Sequence, residues 1–322
     1  MRSLPSTADG LLVSSDLLRL GFGPKTLQRE LVSGRLYRVR RGAYCLAEKW
    51  NALDERGRHL LRMRAVRAGM RLEPVFCDVS AAMALDLPWL GPTGDDVHIC
   101  SAAASGGRSE NGVRRHPHDL EGMEIVEADG LLVTGAAHTV AALAARLPFA
   151  QGVGMVDAAL SRGDGHRATP DELSSAIRRL GPRSNARGAT AAFEFGTHLS
   201  GSFGESYCRA LMHELGYPTP ELQVPFFDER GRIGIVDYWW PEARVIGEFD
   251  GAVKYHRADM RNGSSPSEIA WREKQREDRL RRQCDGFVRV VWAETMDASR
   301  LDAVLRASGL RPDARGKRPS RG

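Results

Sequence analysis

At 322 residues, with 42% hydrophobic and 27% charged side chains, the chain has room for two or three domains that each bury a core. No run of 18 or more apolar residues occurs, so no transmembrane helix is expected, and the first ten residues lack an apolar targeting core and read as untargeted. The net charge of +5 is mild, but its distribution is uneven. Five cysteines (Cys45, Cys77, Cys100, Cys208 and Cys284) stand singly with no Cys-x-x-Cys pair, which predicts buried thiols rather than zinc or redox motifs.

In chain order, Leu11 to Leu20 predicts a strand or turn leading into a short helix, with Ser14 or Ser15 as N-cap. Gly21 and Gly23 make a turn, and Pro24 suits a first helical position. Lys25 to Ser33 then predicts a second helix, with Leu27, Leu31 and Val32 inward and Gly34 ending it. Arg35 to Tyr44 alternates apolar and basic residues about a turn at Gly42. Between residues 19 and 45, seven cations (Arg19, Lys25, Arg29, Arg35, Arg38, Arg40 and Arg41) face only Glu30, which points to a polyanionic partner, most simply DNA.

Two helices across a glycine turn, followed by a basic hairpin, describe a winged helix-turn-helix. Lys25, Gln28 and Arg29 on the second helix are candidate base readers, because Gln matches adenine and Arg matches guanine. Arg35, Arg38, Arg40 and Arg41 are candidate phosphate or minor-groove contacts from the wing. The run Gly34-Arg-Leu-Tyr-Arg-Val-Arg-Arg-Gly-Ala-Tyr44 after the Gly21 turn resembles the N-terminal domain of the AbiEi family of abortive-infection antitoxins. The resemblance implies transcriptional autoregulation, a toxin protein as partner and a cytoplasmic address.

The middle of the chain is an expected α/β region. Leu53 to Arg71 predicts an amphipathic helix, and Val79 to Leu87 a short one capped by Ser80 and stopped by Pro88. Strands are expected at Asp96–Cys100, Met123–Val126 and Leu131–Val133, and a Ser/Gly-rich loop from Ser101 to Gly112. Helices are expected at Thr134–Leu147, Gln151–Arg162, Pro170–Leu180 and Ala186–His198. His116-Pro-His118 reads as a loop, since no second ligand pair lies at useful spacing. No phosphate-binding loop, nucleophile elbow or zinc-protease motif occurs, so this region is expected to position the two ends or bind a protein.

The densest chemistry lies further on. Phe203 to Leu215 predicts a helix ended by Gly216 and Pro218. Ile235-Val-Asp-Tyr-Trp-Trp and Val245-Ile-Gly-Glu-Phe-Asp250 predict neighbouring strands. Glu248 and Asp250, two apart, share a face, and Asp237 comes beside them. Clustered carboxylates repel unless a hard cation joins them, so Asp237, Glu248 and Asp250 are the candidate metal ligands, for Mg2+ or Mn2+. Ser267 to Cys284 predicts a helix whose Arg272, Lys274, Arg276 and Arg279 are expected to track a nucleic-acid backbone, and Phe287 to Trp292 predicts a last strand.

From about Gly204 to Trp292 the chain resembles the restriction-endonuclease-like PD-(D/E)XK fold, in the branch of very-short-patch repair endonucleases. The matching residues are Glu205, Asp237, Glu248-Phe-Asp250-Gly251 and Glu273 to Arg279. The resemblance implies metal held by Asp237 and Glu248, with Glu205 orienting the site. Asp250 stands where the general pattern has Lys, so Lys254 or Lys274 is the candidate cation, and His256 a further proton carrier.

The resulting expectation is an α/β multi-domain chain. It comprises a winged helix-turn-helix over 1–50, an α/β antitoxin-like middle over 51–198, a nuclease-like domain over 199–310 and a basic disordered tail over 311–322. The tail carries five cations against Asp313. Two functions fit: a metal-dependent endonuclease acting on DNA, or a non-catalytic antitoxin-like regulator that keeps the nuclease fold for binding.

Overall fold

In the computed structural model, residues 10–101, 110–117, 120–161, 167–181, 184–251 and 265–313 are described. The chain is mixed α/β, with small sheets of two to four strands among these residues. It divides into two compact units, Met1–Arg146 with Ala168–Ala186, and Leu147–Arg167 with Arg187–Gly322. The first unit takes in both the N-terminal segment and most of the middle region. The second also claims helices from that middle.

The first unit begins with β1 (Leu11–Val13), α1 (Ser14–Arg19) and α2 (Pro24–Val32), followed by the hairpin β2 (Leu36–Arg40) and β3 (Ala43–Leu46). The strands form an antiparallel sheet in the order β1-β3-β2. Val13, rather than Ser14 or Ser15, is the N-cap of α1, and Ser14 is already its first helical residue. Leu12, Leu17, Phe22, Leu27, Leu36 and Tyr44 close over one another as a small core. Leu31 packs at its edge, but Val32 is 78% exposed, because it lies one residue past the buried stripe of α2.

Helix α3 (Ala47–Ala52) leads to α4 (Glu55–Ala68), capped by Asp54, whose carboxylate accepts from Gly57 N at 2.7 Å. Next come α5 (Asp78–Ala84), the parallel pair β4 (Val97–Ser101) and β5 (Val113–Pro117), and the hairpin β6 (Ile125–Ala128) and β7 (Leu131–Thr134). Phe76 bridges to both Ile99 and Val133, tying the two pairs together over a core that includes Leu60, Met63, Val66 and Leu131. Helix α6 (Ala136–Ala144) and, after an excursion, α8 (Pro170–Arg178) complete the unit. Ser80 does not cap α5. It lies inside the helix and accepts from His98 N at 2.8 Å. His116 is on β5 rather than in a loop; His118 and most of the expected Ser101–Gly112 loop lie outside the described residues.

In the second unit, α7 (Phe149–Leu160) packs on α10 (Phe203–Glu214), with α9 (Ala186–Phe195) between them in sequence. A four-stranded sheet follows, built from β8 (Glu221–Asp228), β9 (Gly231–Trp240), β10 (Val245–Asp250) and β11 (Gly286–Val291), in the order β11-β10-β9-β8. β8, β9 and β10 pair antiparallel. β10 and β11 are parallel, and the long helix α11 (Pro266–Arg281) lies between them in sequence. Ser265 and Glu268 form a capping box at the start of α11, with Pro266 in its first turn.

One sheet face packs Tyr238, Trp240, Val245 and Val290 against Cys208 and Met212 of α10 and against α13 (Ala298–Ala307), which follows the short α12 (Trp292–Thr295). On the other side, Val236, Ile246 and Phe287 meet Leu280 of α11. Trp292 starts α12 rather than ending the last strand.

Candidate functional site

The acids of the second unit lie where its strands part. β9 and β10 are paired only as far as Gly247 opposite Tyr238. Beyond that point the side chain of Asp237 replaces the backbone ladder, its Oδ2 accepting from Phe249 N at 2.9 Å. Gln223, on β8 with φ of +52°, donates from one amide nitrogen to Asp237 Oδ1 (3.2 Å) and to Glu205 Oε2 (3.0 Å). Glu205, in the first turn of α10, also accepts from Gly201 N at 2.8 Å and Ser202 Oγ at 2.7 Å. Tyr238 anchors that turn by donating to the Glu205 carbonyl at 2.8 Å.

Glu205 and Glu248 are buried and Asp237 is half-buried. Burial first, then the charges of Glu205 and Glu248, push Asp237 up to about 6. Glu248 on β10 is met by two cations. Arg276 of α11 donates to Oε1 at 2.6 Å and Arg289 of β11 to Oε2 at 3.4 Å. Arg276 reaches Glu248 by lying across Gly234, where a Cβ would fall 2.8 Å from Nε, and it also donates to Ile235 O at 2.8 Å.

The structure thus brings together Glu205, Asp237 and Glu248 with Gln223, Arg276 and Arg289. Asp250 is half-buried at the end of β10. Lys274 is exposed on α11, and Lys254 and His256 lie outside the described residues. The expected backbone-tracking row is partly committed within the unit, Arg276 to Glu248 and Arg279 to both oxygens of Asp228 at 2.6 and 2.7 Å. Sequence reasoning missed Gln223 because β8 was not singled out as a strand. It missed Arg289 because that residue reads as the solvated member of an alternating strand.

As a metal site, the donors are chemically suited to a hard cation, since all are carboxylate oxygens in a buried, charge-crowded place. Their convergence is incomplete. Asp237, Glu248 and Asp250 do not form a set of three with all ligand atoms within 4.8 Å of one another, a criterion that Cys77, Asp78 and His116 meet among the described residues.

In the first unit, Lys25, Gln28 and Arg29 are exposed at positions i, i+3 and i+4 of α2 and so share one face. Arg38 and Arg41 are exposed about the β2–β3 turn, where Gly42 takes φ of +82°, and Arg40 is half-buried. Arg35 and Arg29 are both engaged by Glu30, at 2.5 and 3.6 Å. That acid is 3% exposed, so part of the expected positive field is matched internally.

No family model matches the chain. Over 151 residues it is 28% identical to uncharacterized proteins from two strains of Mycobacterium tuberculosis, CDC 1551 / Oshkosh and ATCC 25618 / H37Rv. The similarity covers 45% of this chain and 54% of each relative, so the chain spans about half the length of the curated relatives it matches. No helix among the described residues is long and apolar enough to cross a membrane.

Proposed function

We propose that the protein acts on DNA, binding it with α1, α2 and the β2–β3 hairpin as a winged helix-turn-helix and hydrolysing phosphodiesters in the second unit. The reading rests on one observation: Glu205, Asp237 and Glu248 come together where β9 and β10 part, Glu205 and Glu248 buried and Asp237 linked to Glu205 through the Gln223 amide. Arg276 and Arg289 already meet Glu248, and a hard cation would relieve the repulsion that remains between Asp237 and its neighbouring acids. The cluster lies in the first turn of α10 and where β9 and β10 part, and its residues are those on which the resemblance to restriction-endonuclease-like nucleases rests.

Asp237 and Glu248 would hold Mg2+ or Mn2+, with Asp250 as a further ligand or base. A metal bound there supplies an activated water and relief of charge on the phosphate. Gln223 and Glu205 fix the Asp237 carboxylate. Arg276 and Arg289, both on Glu248, would supply positive charge near the scissile phosphate in place of a lysine at position 250.

A second reading is a non-catalytic, antitoxin-like regulator with a toxin partner. It is favoured by the two guanidinium groups on Glu248, which match that charge without a metal. Incubating the full chain with plasmid and single-stranded DNA in Mg2+ or Mn2+, beside gel retardation of duplex DNA in chelator, separates the two. Cleavage lost in Asp237→Ala and Glu248→Ala supports the nuclease. Retardation without cleavage by the folded wild type supports the regulator.

A further inference from the structure

The first unit contains a second cluster, unrelated to the acids of the nuclease reading. Cys77, Asp78 and His116 each bring one potential ligand atom within 4.8 Å of the other two. Cys77 and Asp78 lie at the start of α5 and are 1% and 2% exposed, and His116 comes from β5. Cys100 of β4, half-buried and opposite His116 in the β4–β5 register, adds a thiol beside this set of three. We propose that Cys77, Asp78 and His116 bind a zinc ion, with Cys100 as the fourth ligand.

Thiolate, imidazole and carboxylate donors together select zinc over Mg2+ or Ca2+, which take oxygen sets. Zinc–ligand bonds of about 2.0–2.3 Å place tetrahedral donors roughly 3.3–3.8 Å apart, so the cluster needs only a small contraction. The outer shell is already built. His116 turns Nδ1 to Asp78 Oδ2 at 3.1 Å and Nε2 to His98 Nδ1 at 3.0 Å, so His98 can accept the second ring proton of a ligating His116. His98 stacks on that ring at 5.0 Å. Arg146 pairs with Asp78 Oδ1, leaving Oδ2 toward the histidines.

Two features of Asp78 single it out in the fold. Its φ is +58°, a strained value for a residue other than glycine. Neither of its buried oxygens makes an aligned hydrogen bond, although two imidazoles and a guanidinium crowd them. Metal–oxygen bonding would satisfy such a carboxylate. The ion would join the start of α5 to the β4–β5 pair, as a closed structural site does.

The test is elemental analysis of the full chain purified without chelator, then saturated with zinc and desalted, together with cobalt titration read by its thiolate charge-transfer absorption. About one zinc per chain and a thiolate–cobalt band are expected. Both should be lost in Cys77→Ser and His116→Ala and kept in Cys208→Ser and Asp237→Ala. His98→Ala should keep the band with affinity reduced roughly 10–100-fold. Circular dichroism checks each variant's folding, and His116→Ala carries the test if Cys77→Ser does not fold. No stoichiometric zinc and no thiolate band in the wild type, or zinc retained by folded His116→Ala, overturns the proposal and leaves an ion-paired network of Asp78, the histidines and Arg146.

Discussion

Asp237 carries the largest electrostatic tension of the acid cluster, and the sign of its effect on stability can be worked out. Its folded pKa of about 6 lies above the 3.8 of an ordinary aspartate, so the folded chain holds a proton that the unfolded chain has released. Stability therefore falls as pH rises through that window. The full cost, on the order of 3 kcal/mol, is present above about pH 6 and absent below the usual carboxylate range. Asp237→Asn keeps the acceptor for Phe249 N and removes the charge. In chelator it should melt higher than wild type at pH 7.5, with the difference shrinking toward pH 4; a variant that melts lower at both pH values would show that the carboxylate is a net stabiliser.

Glu248 makes the opposite case, since its charge is met by Arg276 and Arg289. Arg276→Ala should cost about 1–3 kcal/mol in denaturant unfolding, because it strips a buried carboxylate of its shorter partner. Adding Glu248→Gln should restore a large part of that loss. Strict additivity in the double variant would show that the two groups are not coupled.

At the scale of elements, the site depends on close approach of α10 to β10. Gly204 permits it, since a Cβ there would fall 2.2 Å from a ring carbon of Phe249. Gly204→Ala must move the helix or the ring, and should cost about 1–3 kcal/mol while displacing Glu205 from Gln223. A melting temperature equal to wild type would mean that the contact is soft. Much of this arrangement was readable in advance. The Val245–Asp250 strand, the helix from Phe203 and the long helix before Gly286 follow from periodicity, capping residues and glycine stops.

What stayed hidden was tertiary. Nothing local marks Gln223 as the shared donor, because its role comes from strand register. Nor does the sequence predict that Arg276, on another element, crosses Gly234 to reach Glu248. The Cys77–Asp78–His116 cluster was invisible for the same reason, since its members join a helix start to a parallel strand and match no local spacing. In the other direction, Glu30 counts in the sequence only as the one acid among seven cations. It is buried and holds Arg35, which lowers the charge left for a partner.

At the scale of the whole molecule, two units carry separate parts of the proposed activity, one for DNA contact and one for hydrolysis. If Arg38 and Arg41 of the first unit meet phosphates, replacing either by Ala should weaken DNA binding about equally for all sequences. It should also reduce the slope of log affinity against log salt by about 1. Replacing Gln28 or Arg29 should instead alter sequence preference, read by competition between duplexes. An unchanged salt slope in Arg38→Ala and Arg41→Ala would remove the hairpin from the interface.

On the proposed reading, the acid cluster of the second unit cleaves DNA with a divalent metal. The most direct test is nicking of supercoiled plasmid by the full-length wild type and by Asp237→Asn, with Mg2+ or Mn2+ and with chelator. The account predicts metal-dependent nicking by the wild type, none in chelator, and none from a folded Asp237→Asn that still binds DNA. Nicking by Asp237→Asn at the wild-type rate, or its absence from folded wild type that retards the same DNA, would contradict it.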